Sequence, residues 1–386
     1  MRVGFVVQRC GLEVNGGAET LCLQIAQRMA RHWETEIVTT CALDYVRWEN
    51  HYPEGVQACG ETLIRRFRVD NPRDPVRFDE LSAALVAKGK QASLAEQENW
   101  MRAQGPLSSG LLQYLTSAGD DYDAFIFFGY LYATTYFGLP LVKKKAWLAP
   151  LGHDEWPIYF NIWDKFFRLP RGFVFQTEEE RAFLARRFPP LPLAGPVAGV
   201  GIDPPAAPDP QDFRAKYGLD QPFLLYVGRI DASKGCSEMF DWFTTRSSDG
   251  PRYKLVVIGR EILPVPYHER IMYLGFVPEN EKWNAMAACD WLILPSEYES
   301  LSISILEAWA VARPSIVNGK SEVLRGHCQR SHGGVWYRDW SECESLLERI
   351  DAKTMSTLGK QGQAYVQAEY AWERIEKAYS GALSSV

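Results

Sequence analysis

Short apolar runs alternate with amphipathic stretches along most of the chain. Val3–Val7 is an apolar run that ends at Gln8, which predicts a buried strand. Ala18–Arg31 follows, with Leu21, Ile25 and Met29 recurring every four residues along one helix face. Glu36–Thr40, Phe125–Phe128, Ala146–Leu151 and Phe173–Gln176 predict further strands, and Tyr130–Phe137 the start of a helix. Thr177 is placed to cap a helix whose first turn carries Glu178, Glu179 and Glu180, acids suited to the positive end of a helix dipole. Strand and helix in alternation predict a parallel sheet flanked by helices.

The alternation breaks at 189–210, where Pro189, Pro190, Pro192, Pro196, Pro204, Pro205, Pro208 and Pro210 predict an inter-domain linker. It then restarts. Phe223–Val227, Lys254–Ile258, Ile271–Leu274, Trp291–Leu294 and Ser315–Val317 predict strands. Helices are predicted to begin at Glu238–Thr244 and to span Glu279–Ala288 and Ser302–Val311. The stretch 44–120 is less periodic, with helical patterns at Phe78–Lys90 and Ser93–Arg102, and reads as decoration that shapes an acceptor pocket. The picture is two α/β halves of similar size.

Composition agrees. A chain of 386 residues exceeds the ~250–300 at which single cores stop growing, so two domains are expected. A net charge of −6 argues against a dedicated nucleic-acid binder. The eight cysteines form no C-x-x-C pair and lie in apolar surroundings, which predicts buried free thiols in a reducing cytoplasm and no metal ligation. The first apolar run is too short for the core of a secretory leader. Ala124–Val142 holds nineteen uncharged residues, the length of a membrane span, but Gly129, Gly138 and Pro140 interrupt it and it reads as strand plus helix. Lys143-Lys144-Lys145 reads as a solvated turn, with membrane-surface contact as the minority reading.

In open α/β sheets ligands bind beyond the carboxyl ends of the strands, so the candidate chemistry sits there. After the first strand comes Asn15-Gly16-Gly17-Ala18-Glu19, opening a helix whose N-terminus favours an anion. It lacks the G-x-G-x-x-G pattern of dinucleotide enzymes. After Ala146–Leu151 comes Gly152-His153-Asp154-Glu155. After Phe223–Val227 comes Gly228-Arg229-Ile230-Asp231-Ala232-Ser233-Lys234-Gly235, whose two cations suit a diphosphate. After Trp291–Leu294, Glu299 falls on a loop and Glu307 two turns into the next helix; eight helical steps leave them about 80° apart, on one cleft. An acid amid Ile303, Ile305, Leu306 and Trp309 has to be paired, and a carboxylate there accepts well from the vicinal hydroxyls of a ribose or hexose. Asp121-Tyr122-Asp123 matches a metal-binding D-x-D but precedes its strand rather than following it.

The set GGAE, HDE, GRIDASKG and E-x7-E, in this order, resembles the retaining glycosyltransferases of family 4, the group 1 glycosyltransferases, over nearly all of the chain outside 44–120. Asp290–Pro314 carries most of the likeness, and Tyr370-Ala371-Trp372-Glu373 looks like the family's final helix. The resemblance implies a GT-B fold, two Rossmann-like parallel-sheet domains facing across a cleft. An acceptor-side domain would span 1–195, a nucleotide-sugar domain 196–367, and a helix at 368–386 would return to the first. It implies that Arg229 and Lys234 hold the donor diphosphate, that Glu307 binds the ribose hydroxyls, and that Glu299 contacts the transferred sugar. Gly16 and Gly17 would bring amides to the phosphates, His153 would lie beside the reacting sugar, and Val277 would offer backbone atoms to the base. No metal or cofactor is implied; the UDP- or GDP-sugar is a substrate.

Two departures stand out. Ser300-Leu301-Ser302 replaces the family's frequent Gly-Phe-Gly, still supplying amides, with Ser302 expected to cap the helix; and Ala312 replaces a frequent glycine before Arg313-Pro314. The aromatics Tyr130, Tyr132, Tyr136, Phe137, Trp156, Tyr159, Phe160 and Trp163 read first as core, with acceptor contacts expected in the region from Trp156 to Trp163, and at Asp154, Trp156 and Tyr159 in particular. The acceptor is expected to be a glycan, a lipid-linked molecule or a small molecule. The location is cytoplasmic, on the inner membrane face for a lipid-linked acceptor. Retention admits a carboxylate nucleophile or a front-side route, and Glu299 either attacks or orients. A sugar-nucleotide epimerase of the same fold and a non-catalytic carbohydrate-binding protein are the alternative readings.

Overall fold

A computed structural model describes residues 1–14, 16–191, 194–245 and 253–384. Asn15 of the glycine loop, and Pro192 and Leu193 of the predicted linker, lie outside the described residues. The chain forms two units, Met1–Val200 with Glu376–Val386, and Gly201–Ile375.

Among the described residues the first unit holds a seven-stranded sheet: β1 (Arg2–Val6), β2 (Glu34–Thr40), β3 (Gly55–Cys59), β4 (Thr62–Phe67), β5 (Ala124–Phe128), β6 (Ala146–Ala149) and β7 (Gly172–Phe173). Their order is β3-β4-β2-β1-β5-β6-β7. β1 lies in the middle, with Val3 opposite Thr35 of β2 and Ala124 of β5. β5 and β6 are buried along their whole length, which is why they read as unbroken apolar runs. Phe125, Phe127, Leu148, Phe173 and Phe175 pack with Trp163 in the core.

The structure corrects several expectations here. The sheet is mixed, because β3 runs antiparallel to β4. Neither strand was predicted: β3 is an edge strand exposed along most of its length, so it needs no apolar pattern. The stretch 44–120 also holds the helices Pro75–Lys88, Leu94–Gln104 and Ser109–Ala118. Ser93 and Glu96 form a capping box at the second of these. Phe173–Gln176 shortens to the two residues of β7, and Phe175 bridges instead to Val197, bringing the proline-rich segment alongside. The helix expected from Tyr130 begins at Ala133, since Gly129 turns the chain at φ 79° and Tyr132 is extended. Ala124–Val142 is thus β5, a short helix and a 3₁₀ turn, and no helix of the described residues is long and apolar enough to cross a membrane. In the lysine run, Lys145 is tied down, donating to Tyr122 O at 2.8 Å and Gly119 O at 3.1 Å.

Among the described residues the second unit holds a six-stranded parallel sheet: β8 (Phe223–Val227), β9 (Lys254–Ile258), β10 (Ile271–Gly275), β11 (Trp291–Leu294), β12 (Ser315–Asn318) and β13 (Gly334–Tyr337). Their order is β10-β9-β8-β11-β12-β13. β8, β9 and β11 have the bounds predicted for them; β13 was not predicted, being four residues with Trp336 exposed. The helix before β9 starts at Cys236, two residues ahead of Glu238. This is the doubly wound order, and it reverses between β8 and β11, so the crevice at their carboxyl ends is where a ligand is expected.

The helix Trp372–Ser384 ends the described chain. From Glu376 onward it belongs to the first unit, where Glu376 pairs with Arg28 and lies 2.7 Å from His32, and Tyr379 is fully buried. None of the eight cysteines forms a disulfide; seven are buried and Cys59 is half-buried.

Candidate functional site

In the first unit the loop after β1 enters the helix Gly17–Met29 with Gly16 as its N-cap. Gly16 is extended, a backbone open to any residue, but a Cβ there would sit 2.1 Å from Glu19 Oε2. Gly17 meets no such neighbour, so the crowding that demands glycine is at Gly16 alone. Glu19 is buried and accepts from Arg9 Nε at 2.5 Å, and Arg9 also donates to Leu43 O at 2.7 Å. Arg9 was not foreseen; a lone cation just beyond an apolar strand is the signal that was there to read.

The loop after β6 carries His153. The predicted strand stops at Ala149, and Leu151 adopts φ 55°. His153 Nε2 lies 3.3 Å from Glu155 Oε1, which also accepts from Tyr130 Oη at 3.3 Å. Thr177 caps the helix Glu178–Arg187 as predicted, accepting from the Glu180 N–H at 3.2 Å. Glu180 does more than complement the dipole. It is buried, and its two oxygens accept from Gly152 N at 2.8 Å and Gln176 N at 2.6 Å. Burial pushes its carboxyl up to about 7, against the downward pull of those backbone donors and of His153.

Asp154 accepts from Tyr159 Oη at 2.5 Å. Trp156 and Tyr159 are 40% and 52% exposed, whereas Tyr130, Phe160 and Trp163 are core. Asp121-Tyr122-Asp123 lies at the amino end of β5, where Asp123 accepts from Arg2 N at 2.7 Å and Tyr122 is buried. Among the described residues no group of three or more His, Cys, Asp or Glu side chains is arranged to hold a metal ion.

In the second unit the loops after β8 and β11 interlock. Gly235 has φ 72°, and a Cβ on it would come within 2.5 Å of Pro295 O, so both backbone conformation and space require glycine. That contact sets Lys234 against the β11 loop, with its Nζ 2.8 Å from Glu299 Oε1 and 3.3 Å from Tyr298 O. Arg229 Nε lies 3.1 Å from Asp231 Oδ2, and Asp231 in turn accepts from Ser233 N at 2.8 Å. Glu307 is 5% exposed and accepts from Lys282 Nζ at 2.6 Å, which also lies 2.8 Å from Glu279. Burial pushes the Glu307 carboxyl up and Lys282 pulls it back. Lys282 was the unforeseen partner; it enters from the helix Glu279–Ala288, twenty-five positions away.

Two expectations fail at this loop. Glu299 precedes the helix, which starts at Ile303, so the 80° helical relation to Glu307 does not hold; the two acids meet different lysines instead. Ser302 does not cap that helix: at φ 65°, ψ 86° its side chain makes no capping bond and lies 3.4 Å from Ser304 Oγ. The loop is held from beneath by His327, whose Nε2 is 3.0 Å from Leu301 O. Burial pushes this imidazole down to about 3, and a carbonyl only accepts, so the neutral ring carries its proton on Nε2. Ser300 and Leu301 lie in the same loop, and Val277 is half-buried between β10 and the next helix. Ala312, the other departure, has φ 57°.

Residues 209–351 match the family model of the glycosyl transferases group 1. Of the curated proteins, an alpha-D-kanosaminyltransferase of Streptomyces kanamyceticus is 29% identical over 126 residues, covering 29% of this chain and 33% of the relative. The chain spans less than half the length of the curated relatives it matches. Among solved structures, sucrose-phosphate synthase from Thermosynechococcus elongatus has a TM-score of 0.73 at 17% identity, and Anabaena HepE in complex with UDP and glucose 0.72 at 15%; each alignment covers 100% of both chains. The chain therefore has the GT-B fold, and over residues 209–351 it matches the group 1 glycosyl transferases.

Proposed function

We propose that the protein is a retaining glycosyltransferase that takes a sugar from a nucleoside-diphosphate sugar, UDP- or GDP-linked, and passes it to a hydroxyl of a glycan, lipid-linked or small-molecule acceptor. The observation that carries this reading is the pair of interlocked loops at the carboxyl ends of β8 and β11, where the sheet order reverses. In this reading the diphosphate takes Arg229 from Asp231 and Lys234 from Glu299. Fixed cations stabilise the charge that gathers on the leaving diphosphate, with no metal needed. Glu307 accepts from the ribose hydroxyls, Val277 offers backbone atoms to the base, and the amides at Ser300, Leu301 and Ser302 line the sugar. Glu299, released from Lys234, contacts the transferred sugar. The first unit supplies His153 beside that sugar, the amides of Gly16 and Gly17, and acceptor contacts from Asp154, Trp156 and Tyr159. The UDP and glucose bound by Anabaena HepE support a uridine diphosphate donor.

A thermal-shift series with UDP, GDP, ADP and TDP, with magnesium and with EDTA, tests this. One diphosphate is expected to raise the melting temperature equally in both conditions; no rise with any of the four would overturn the reading. Glu307→Gln is expected to weaken that diphosphate about tenfold or more, the worth of one charge-assisted hydrogen bond.

A further inference from the structure

Glu180 has no part in the reaction as read above, yet it is tied to the loop that carries His153. Leu151 sits at φ 55°, a left-handed backbone that is strained for a non-glycine residue and persists only where its surroundings hold it. The next N–H, of Gly152, donates to Glu180 Oε1 at 2.8 Å. The other oxygen takes the Gln176 N–H at 2.6 Å. Glu180 is 1% exposed, and its own N–H is fixed by Thr177. A buried carboxylate is costly unless its acceptors are filled, and here backbone donors fill one site on each oxygen, that on Oε1 from the strained segment. Glu178 and Glu179, at the more exposed positions of the same turn, already complement the helix dipole; what Glu180 adds is the tie.

We infer that Glu180 is a positioning residue, whose carboxylate holds Leu151 and Gly152 in the conformation that presents His153 to the transferred sugar. The inference rests on the proposed role of His153. The titratable groups facing Glu180 are His153 and, from the helix Trp372–Ser384, Tyr379; Glu155 stands against His153, and Cys22 near Tyr379. Glu180→Gln keeps the side chain's size but sets an NH2 group against a backbone N–H, so the strained loop loses part of its hold.

The test uses the full chain with carbon-13-labelled histidine. Six histidine signals are expected, and His153→Ala identifies one of them. Glu180→Gln should shift or broaden the His153 signal and leave the other five in place. It should also leave the thermal shift given by UDP or GDP unchanged, because none of the groups proposed to bind them, Arg229, Lys234, Glu307 and Val277 of the second unit and the Gly16 and Gly17 amides of the first, is a hydrogen-bond partner of the Glu180 carboxylate. Release of UDP from UDP-glucose should slow by roughly tenfold, with KM for the donor unchanged. An unmoved His153 signal would overturn the inference. If Glu180→Gln does not fold, hydrogen exchange in the wild-type protein decides: the Gly152 amide should exchange as slowly as those of β6, and exchange at the rate of an open loop would overturn it. A wild-type protein that responds to no nucleoside diphosphate would sink the donor reading instead and leave the tie at Glu180 standing.

Discussion

The two units hold charge at their strand ends in different ways. In the first unit, Glu180 is bound by backbone N–H groups, and Glu19 by an Arg9 that is itself 2% exposed. In the second, Arg229 faces Asp231, Lys234 faces Glu299 and Glu307 faces Lys282, side chain to side chain, with both members of the first two pairs partly open to solvent. A backbone tie cannot be passed to a ligand without remaking the loop. A partly exposed ion pair is worth little by itself, so its cation can exchange one anion for another at small net cost. The charges of the first unit therefore maintain a shape, and those of the β8 and β11 loops are free to change partners.

The sharpest way to break that contrast is Lys234→Ala. Donor turnover should fall on the order of 10²–10³-fold, while the melting temperature moves by only a few degrees. A collapse of stability with turnover retained would make Lys234 architectural after all. The second effect is a pH slope from the first unit. Glu180 has a folded pKa of about 7 against an ordinary 4.5, so between those values the folded state keeps a proton that the unfolded chain releases. The stability this group allows is greatest below about pH 4.5 and declines as pH rises to about 7, by roughly 3 kcal/mol. Denaturant melts should show the difference between wild type and Glu180→Gln moving by about that amount in the variant's favour from pH 4 to pH 8. An unchanged difference would mean that the carboxylate stays charged throughout. The smallest effect concerns neither charge. Ala312→Gly, at φ 57°, should stabilise the protein by about 1 kcal/mol by relieving a left-handed alanine, read as a rise in the denaturation midpoint with nucleotide affinity unchanged.

That last residue shows where the sequence was legible and where it was not. The fold was read from strands buried on both faces, β8, β9 and β11, because such strands need unbroken apolar runs. It was missed at β3 and β13, which are short, lie at sheet edges and keep exposed positions, and at β4, where buried positions alternate with more open ones and leave no unbroken apolar run. Site loops were placed by rule, since they follow strands. Their internal contacts were not: Lys282 meets Glu307, and Glu180 meets Gly152, across separations that carry no periodicity. Both departures from the family pattern, Ser302 and Ala312, fall where φ is positive. Glycine is frequent there for a backbone reason, and a cap was expected of Ser302 because backbone sign cannot be read from one sequence.

The return of the last helix to the first unit has a consequence for biosynthesis. The first unit is discontinuous, assembled from residues on both sides of the second. On the ribosome, residues 1–200 emerge first but lack Glu376 for Arg28 and His32, and Tyr379 and Leu383 for the core, until the second unit has been made. The second unit, Gly201–Ile375, is continuous and has all its strands earlier. The order of completion thus runs against the order of synthesis. Removing residues 377–386 should therefore injure the amino-terminal unit and leave the second unit intact.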